Sequence, residues 1–200
     1  QLLKRPLAAI EEEMRGRVTS DAAAASIVVV NDASCLIDLR KARLLHLLVQ
    51  LPYRLMIPLP VRASELLDFT PQEWAVLDGG IETFDLPPDR VAEVFTLKKV
   101  HPTHSAPDCF CLVTTRCHQD AILLTGDGLL RRVATDDGRR VHGVLWVVDE
   151  LRRLTLCGDD VLASALELWR NDPGVFLPDG EIDGGCDFSG DHSNPARFIG

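Results

Sequence analysis

The chain has 200 residues, of which 46% are apolar and 26% are charged, values typical of a globular domain with a packed core. Its net charge of -9 excludes a protein that wraps nucleic acid through general basicity, although it is compatible with a local basic groove beside an acidic site. The six cysteines form no CxxC pair and no regular framework, so we expect reduced thiols and a cytoplasmic location. The apolar run 22–30 is too short to cross a bilayer, so we expect no membrane span.

The chain begins with a pattern that differs from the rest. Residues 2–17 carry apolar side chains at three- and four-residue steps, which predicts an amphipathic helix, and a small-residue linker follows at 20–26. We interpret this helix as packing on the domain or as binding a partner.

Strands and helices then alternate. We predict strands at 27–30, 54–57, 81–86, 121–125 and 141–148. We predict helices at 36–49, 59–69, 89–100, 105–118, 129–134, 149–156 and 159–170, with the region of Trp74 as a connecting segment. This alternation predicts a three-layer α/β/α sandwich around a mainly parallel sheet. The predicted domains are therefore an N-terminal helix and linker (1–26), an α/β domain (27–182) and a loosely held tail (183–200) rich in Gly, Asp and Ser.

Four acidic side chains fall where such a sheet would bring them together. Asp32 and Asp127 each follow an apolar strand, while Glu65 and Asp108 lie in the first turns of helices that can pack over the same edge. Ligands of open α/β sheets bind outside the carboxyl ends of the strands. Carboxylates crowded at one edge repel each other and need a cation, and hard divalent ions such as Mg²⁺ prefer oxygen ligands.

Each of these acids also has a purely structural explanation. Asp32 could cap the helix that follows it, Asp108 could form a capping box with Ser105, and Asp127 could cap the next helix. Glu65 could lie on a solvated helix face. The residue pattern alone leaves both explanations open, with a weak preference for a convergent site.

Four segments in order resemble the signature regions of a known family. They are IVVVNDASCLIDL (27–39), RASELL (62–67), SAPD (105–108) and AILLTGDGLLRRVA (121–134). Together they resemble the PIN domain, a family that includes the VapC-type toxins of bacterial toxin–antitoxin pairs. The resemblance extends over about residues 27–182 and matches the family's acids to Asp32, Glu65, Asp108 and Asp127. The N-terminal helix, the tail and the proline-punctuated insert at 70–90 depart from a minimal member.

The resemblance implies a metal-dependent endoribonuclease. Mg²⁺ or Mn²⁺ held by the four acids would activate water for in-line attack on an RNA phosphodiester, and the hydroxyls of Ser34 and Thr125 would orient carboxylates. Arg131 and Arg132, one turn beyond Asp127, are candidates to contact phosphate, with a solvated helix face as an equal alternative. The expected partners are an RNA substrate, a protein antitoxin and a second copy of the chain in a homodimer.

Other functions compete with this interpretation. A non-catalytic PIN-fold module that binds protein or RNA is favoured mildly by the acidic charge and the extra termini, whereas retention of all four acids argues against it. A receiver-like phospho-acceptor domain ranks low, because the predicted last strand is followed by Asp149 and Glu150 rather than by a lysine.

Other site chemistries fit the sequence poorly. A zinc site near residues 101–118 ranks low, because its histidines and cysteines match no usual zinc spacing. The G-x-S-x-G, P-loop and G-x-G-x-x-G patterns do not occur in the sequence.

Overall fold

The computed structural model describes residues 27–175 and 177. Their centre is a five-stranded sheet in the order β3-β2-β1-β4-β5, and every neighbouring pair of strands is parallel. The strands are β1 (Val28–Asn31), β2 (Arg54–Pro58), β3 (Ile81–Phe84), β4 (Ile122–Leu124) and β5 (Arg140–His142). The predicted α/β class is therefore confirmed, and the strand order reverses between β1 and β4.

Nine helices cover the sheet in the described part of the chain. They are α1 (Ala33–Lys41), α2 (Leu45–Leu48), α3 (Leu59–Ser64), α4 (Pro71–Asp78), α5 (Pro88–Val100), α6 (Ala106–Arg116), α7 (Gly128–Asp136), α8 (Val144–Arg153) and α9 (Asp159–Arg170). The helices α1, α2 and α8 pack together, while α6 packs against the sheet and against α3, α5 and α7. Right-handed crossovers place these two groups on opposite faces of a parallel sheet, which gives the predicted three layers.

The strand predicted at 141–148 is wrong beyond His142. Gly143 ends β5, and the apolar run that follows forms the first turns of α8. Val144, Val147 and Val148 are buried at steps of three and four, which is the helical period. A short apolar run does not by itself distinguish a buried strand from a buried helix.

Three helix predictions also need correction. The Trp74 region is the helix α4, which begins with a capping box between Thr70 and Glu73. The helix predicted at 36–49 starts earlier, at Ala33, and breaks near Arg43, whose φ of 60° lies in the left-handed region. The helix predicted at 59–69 ends at Ser64, because the residues after it turn to bury Leu66 and Phe69 in the core instead of continuing the helix.

The side chains of Trp169 and Arg116 connect the outer helices through polar contacts. The indole of the buried Trp169, on α9, donates a hydrogen bond of 2.9 Å to the backbone carbonyl of Asp38 on α1. At the end of α6, the Arg116 guanidinium binds both carboxylate oxygens of Asp137, the C-cap of α7, at 2.7 Å. The same guanidinium binds Glu93 of α5 at 2.6 Å, so a single side chain joins three helices.

Two predicted segments lie outside the described residues. They are the helix and linker at 1–26 and the tail at 183–200, so the division into three domains stays a prediction. Among the described residues, every helix is too short or too polar to span a lipid bilayer.

Replacing Trp169 by Phe should lower the free energy of unfolding by about 1–3 kcal/mol, because the indole donor is lost and the smaller ring leaves space. Trp169→Ala should cost about 3–5 kcal/mol. The matched control is Leu168→Ala, which changes a 41% exposed neighbour on the same helix and should cost less than about 1 kcal/mol. Urea unfolding followed by circular dichroism measures all three. Equal losses of unfolding free energy for Trp169→Phe and Leu168→Ala would show that the Trp169–Asp38 hydrogen bond and the packing of the indole do not stabilise the fold.

Candidate functional site

The strand order brings two of the predicted acids to one point of the sheet edge. Asn31, the last residue of β1, lies opposite Leu124, the last residue of β4, and the Asp32 amide donates to the Leu124 carbonyl at 3.0 Å. Asp32 therefore lies beside the turn from Thr125 to Asp127 that leads into α7. This is the place where the strand order reverses, and the helices that follow β1 and β4 leave the edge in different directions there.

Asp32 is the buried centre of this edge. Only 3% of its surface is exposed, and its Oδ2 accepts hydrogen bonds from the hydroxyls of Ser34 at 2.6 Å and Thr125 at 2.8 Å. Its Oδ1 accepts from the Ala33 amide at 2.8 Å. Burial raises the pKa of Asp32, the two hydroxyls oppose that rise, and the negative charge of Asp108 adds to it.

The same two hydroxyls also hold the β4–α7 turn. Ser34 Oγ accepts a hydrogen bond of 2.8 Å from the Gly126 amide, and Thr125 Oγ1 accepts one of 3.0 Å from the Asp127 amide. Each hydroxyl thus donates to the Asp32 carboxylate and accepts from the turn. The hydroxyls predicted to orient carboxylates both contact Asp32 in the structure.

Asp127 and Asp108 are both helix caps. Asp127 is the N-cap of α7, and its Oδ1 accepts from the Leu130 amide at 2.7 Å. Asp108 forms the predicted capping box with Ser105, whose amide donates to Asp108 Oδ2 at 2.6 Å. Each cap uses one carboxylate oxygen, so the other oxygen remains available to a ligand.

Glu65 lies just beyond α3, where it is the C-cap, and not in the first turn of a helix as predicted. It is half-buried and not fully exposed on a helix face. Burial raises the pKa of Glu65 to about 7, and the negative charges of Asp32 and Asp108 contribute to that rise. The three carboxylates therefore lie within electrostatic reach of one another, although they come from three different segments.

The chemistry of this donor set fits a hard divalent cation. Asp32, Glu65, Asp108 and Asp127 form no ion pair with any Lys, Arg or His of residues 27–175 and 177, so their negative charge is uncompensated within that range. Oxygen ligands of this kind suit Mg²⁺ and Mn²⁺. Their side chains do not converge, however: in the described part of the chain, no three His, Cys, Asp or Glu side chains are placed to hold a metal ion. Asp108 and Asp127 would have to turn one oxygen from the helix ends toward Asp32.

A protein-family model supplies independent information. The model described as a PIN domain matches residues 28–183, which is more than half of the chain. The chain belongs to the PIN-domain family. PIN domains have a nuclease-type fold, are generally nucleases and typically use divalent metals. No curated protein matches this chain.

The two predicted arginines occupy different environments in this PIN domain. Arg132 is exposed on α7, as a solvated helix face would be. Arg131 is half-buried, and its guanidinium lies against Gly143 at the start of α8. The structure thus separates two neighbours that the sequence could not distinguish.

Two acidic or polar neighbours of the site were missed from sequence. Asp38, on α1, is 6% exposed, and a side chain added at Gly126 would lie 3.8 Å from its Oδ2. Asp38 follows Ser34 by one helical turn, a spacing that could have indicated a shared face. The His142 carbonyl accepts from the Thr125 amide at 2.9 Å, which places this histidine beside the site, but the error in the predicted last strand concealed it.

Glu65→Gln should stabilise the metal-free protein at about pH 8. Because its pKa is raised from the ordinary value of about 4.3 to about 7, the native state holds the Glu65 proton more tightly than the unfolded chain. Stability therefore falls as pH rises through this range, and glutamine removes that loss. The variant should unfold at higher urea concentration than wild type at about pH 8 and at the same concentration near pH 4, with EDTA present.

The matched control for this measurement is Glu73→Gln. The Thr70 amide and the Arg40 guanidinium lower the pKa of Glu73, so its charge stabilises the native state above the unfolded pKa, and that contribution is lost as pH falls. Glu73→Gln should therefore destabilise the protein at about pH 8. If both variants shift the urea midpoint at about pH 8 in the same direction, burial and the nearby negative charges do not destabilise the ionised Glu65 side chain.

Proposed function

We propose that this PIN domain is a metal-dependent endoribonuclease that hydrolyses RNA phosphodiester bonds. The observation that carries the proposal is the buried Asp32 carboxylate, oriented by Ser34 and Thr125 at the reversal of strand order, with the charges of Glu65 and Asp108 within reach. Carboxylates at this place in a fold of nucleases have a direct chemical use, because a divalent ion would relieve their repulsion.

The four acids would have distinct parts in this chemistry. Mg²⁺ or Mn²⁺, held by Asp32, Glu65, Asp108 and Asp127, would supply a Lewis acid that activates water and offsets charge on the phosphate. Asp32 is already fixed in orientation by the Ala33 amide and the two hydroxyls, so it needs no reorganisation when a ligand arrives. Asp108 and Asp127 lie at the positive ends of α6 and α7, where an anionic substrate is also favoured.

The cellular setting belongs to the same proposal. The resemblance to VapC-type toxins supports a cytoplasmic toxin that a protein antitoxin neutralises and that acts as a homodimer. The net charge of -9 favours a basic antitoxin segment. Light scattering of the purified chain tests the dimer, and co-expression with the product of an adjacent reading frame tests the antitoxin by rescue of growth.

A non-catalytic interaction module is the second candidate, and a specific observation favours it. Asp32 and Asp127 are helix N-caps in the structure and Asp108 completes the capping box of Ser105, which gives all three a structural role independent of any metal. A module that had lost catalysis could retain them for that reason alone.

Metal titration separates the two candidates. Wild type should bind Mn²⁺ in a calorimetric titration, and Asp32→Asn with Asp127→Asn should weaken binding at least about a hundredfold, because two oxygen anions are removed. Asparagine caps helices as well as aspartate does, so the fold should persist. Cleavage of a fluorescent single-stranded RNA should fall by about a hundredfold or more in the double variant and stop with EDTA.

Asp136→Asn is the control for the metal titration. This residue is an exposed acid on α7, and its replacement should leave both metal binding and cleavage unchanged. A wild-type protein that binds no divalent ion, even with RNA present, would refute the nuclease and leave the interaction module.

A further inference from the structure

Arg131 has no acidic partner among residues 27–175 and 177. Every other half-buried arginine of the described residues is paired with a carboxylate within 4.0 Å: Arg40, Arg62, Arg90, Arg116 and Arg139. Arg131 makes no ion pair with a described residue, and its Nε is buried without a hydrogen bond in that same part of the chain. A partly desolvated guanidinium without an anion is unfavourable.

The position of this unpaired charge is well defined. A side-chain carbon added at Gly143 would lie 2.9 Å from Arg131 Nη2 and 3.8 Å from the Thr125 carbonyl oxygen. The guanidinium therefore lies at the carboxyl edge of the sheet, next to the residue whose hydroxyl binds Asp32. The pKa of His142, at the end of β5, is lowered by burial first and then by the positive charge of Arg131, which agrees with this position.

The start of α8 adds to the positive potential at the same place. Gly143 is the N-cap of this ten-residue helix, and no side chain caps it. The positive end of a helix dipole repels a guanidinium beside it unless an anion lies between or near them. Both features therefore favour the same kind of ligand.

We propose that Arg131 binds a non-bridging phosphate oxygen of a single-stranded RNA whose backbone passes the Asp32 site, and that glycine is required at position 143 to leave room for the guanidinium. This inference rests on the proposed ribonuclease function. A guanidinium presents two parallel donors to one phosphate, a geometry that lysine cannot reproduce. Arg132, although adjacent in sequence, takes no part, because it is exposed on the solvated side of α7.

The first test compares Arg131→Gln with Arg132→Gln. Fluorescence anisotropy measures binding of a labelled single-stranded RNA 12-mer at several KCl concentrations, in a full-length Asp32→Asn background that prevents cleavage. Arg131→Gln should weaken binding about tenfold and reduce the salt slope by about 0.7, the value for one phosphate contact in a single strand. Arg131→Lys should keep the slope but lose part of the affinity. Arg132→Gln should change affinity less than about twofold.

The second test uses Gly143→Ala, which displaces the guanidinium without removing its charge. The φ of -111° at Gly143 is ordinary for alanine, and the clash is with the flexible end of Arg131, so the variant should fold. Gly143→Ala should weaken RNA binding, and combining it with Arg131→Gln should weaken binding no further than Arg131→Gln alone. Additive losses would show that Gly143 and Arg131 act separately, which overturns the shared site.

The failure of this inference is distinguishable from the failure of the proposed function. If wild type cleaves RNA but Arg131→Gln and Arg132→Gln behave alike in binding and in cleavage, the phosphate contact is wrong and the nuclease stands. If wild type does not cleave RNA but binds it with the predicted dependence on Arg131, the contact stands and hydrolysis is wrong. Absence of both binding and cleavage in wild type overturns both. Thermal unfolding of each variant confirms that the fold is intact.

Discussion

The burial of one carboxylate is the constraint on which the rest of this structure depends. Asp32 lies at the centre of the sheet edge, where desolvation disfavours its charge, and the fold compensates with the Ala33 amide and the hydroxyls of Ser34 and Thr125. Since both hydroxyls also accept from the turn that follows β4, the hydrogen bonds that oppose the rise in the pKa of Asp32 are also the ones that join the two central strands at their ends. Loss of either hydroxyl would therefore disturb the carboxylate and the turn together.

The acids of this edge combine local folding with the chemistry of a site. An aspartate at the N-cap, or at the third position of a capping box, satisfies a backbone amide that would otherwise lack a partner, and it also places a carboxylate at the positive end of a helix. Asp108 and Asp127 do both at the starts of α6 and α7. Capping keeps these carboxylates ordered in the absence of a ligand and uses only one oxygen of each, which leaves the other for a metal ion.

The sequence predicted the architecture and the location of the site better than it predicted individual environments. Apolar runs between turn signals were sufficient for β1 and β4, and hence for Asp32 and Asp127 at their ends. The apolar run at 141–148 did not distinguish a strand from a helix, because the helical period of its buried residues is apparent only if the strand ends before Gly143. Glu65 could not be placed, since the end of α3 is decided by tertiary burial of the residues after it. Ion pairs likewise form between segments that are distant in sequence, so the different environments of Arg131 and Arg132 could not be predicted from sequence.

The three-helix junction at Arg116 has a mechanical consequence for the opposite edge of the sheet. Asp108 and Asp127 lie at the starts of α6 and α7. At the other ends of these helices, the Arg116 guanidinium forms an ion pair with the Asp137 carboxylate. The two helices are thus joined at their far ends, about 12 Å from Asp108 along the axis of α6, since Arg116 follows Asp108 by eight residues at about 1.5 Å each. The distance between the Asp108 and Asp127 carboxylates therefore depends on an ion pair at the opposite ends of the two helices. A substitution that breaks the Arg116–Asp137 ion pair would then widen the site without changing any residue of the site itself.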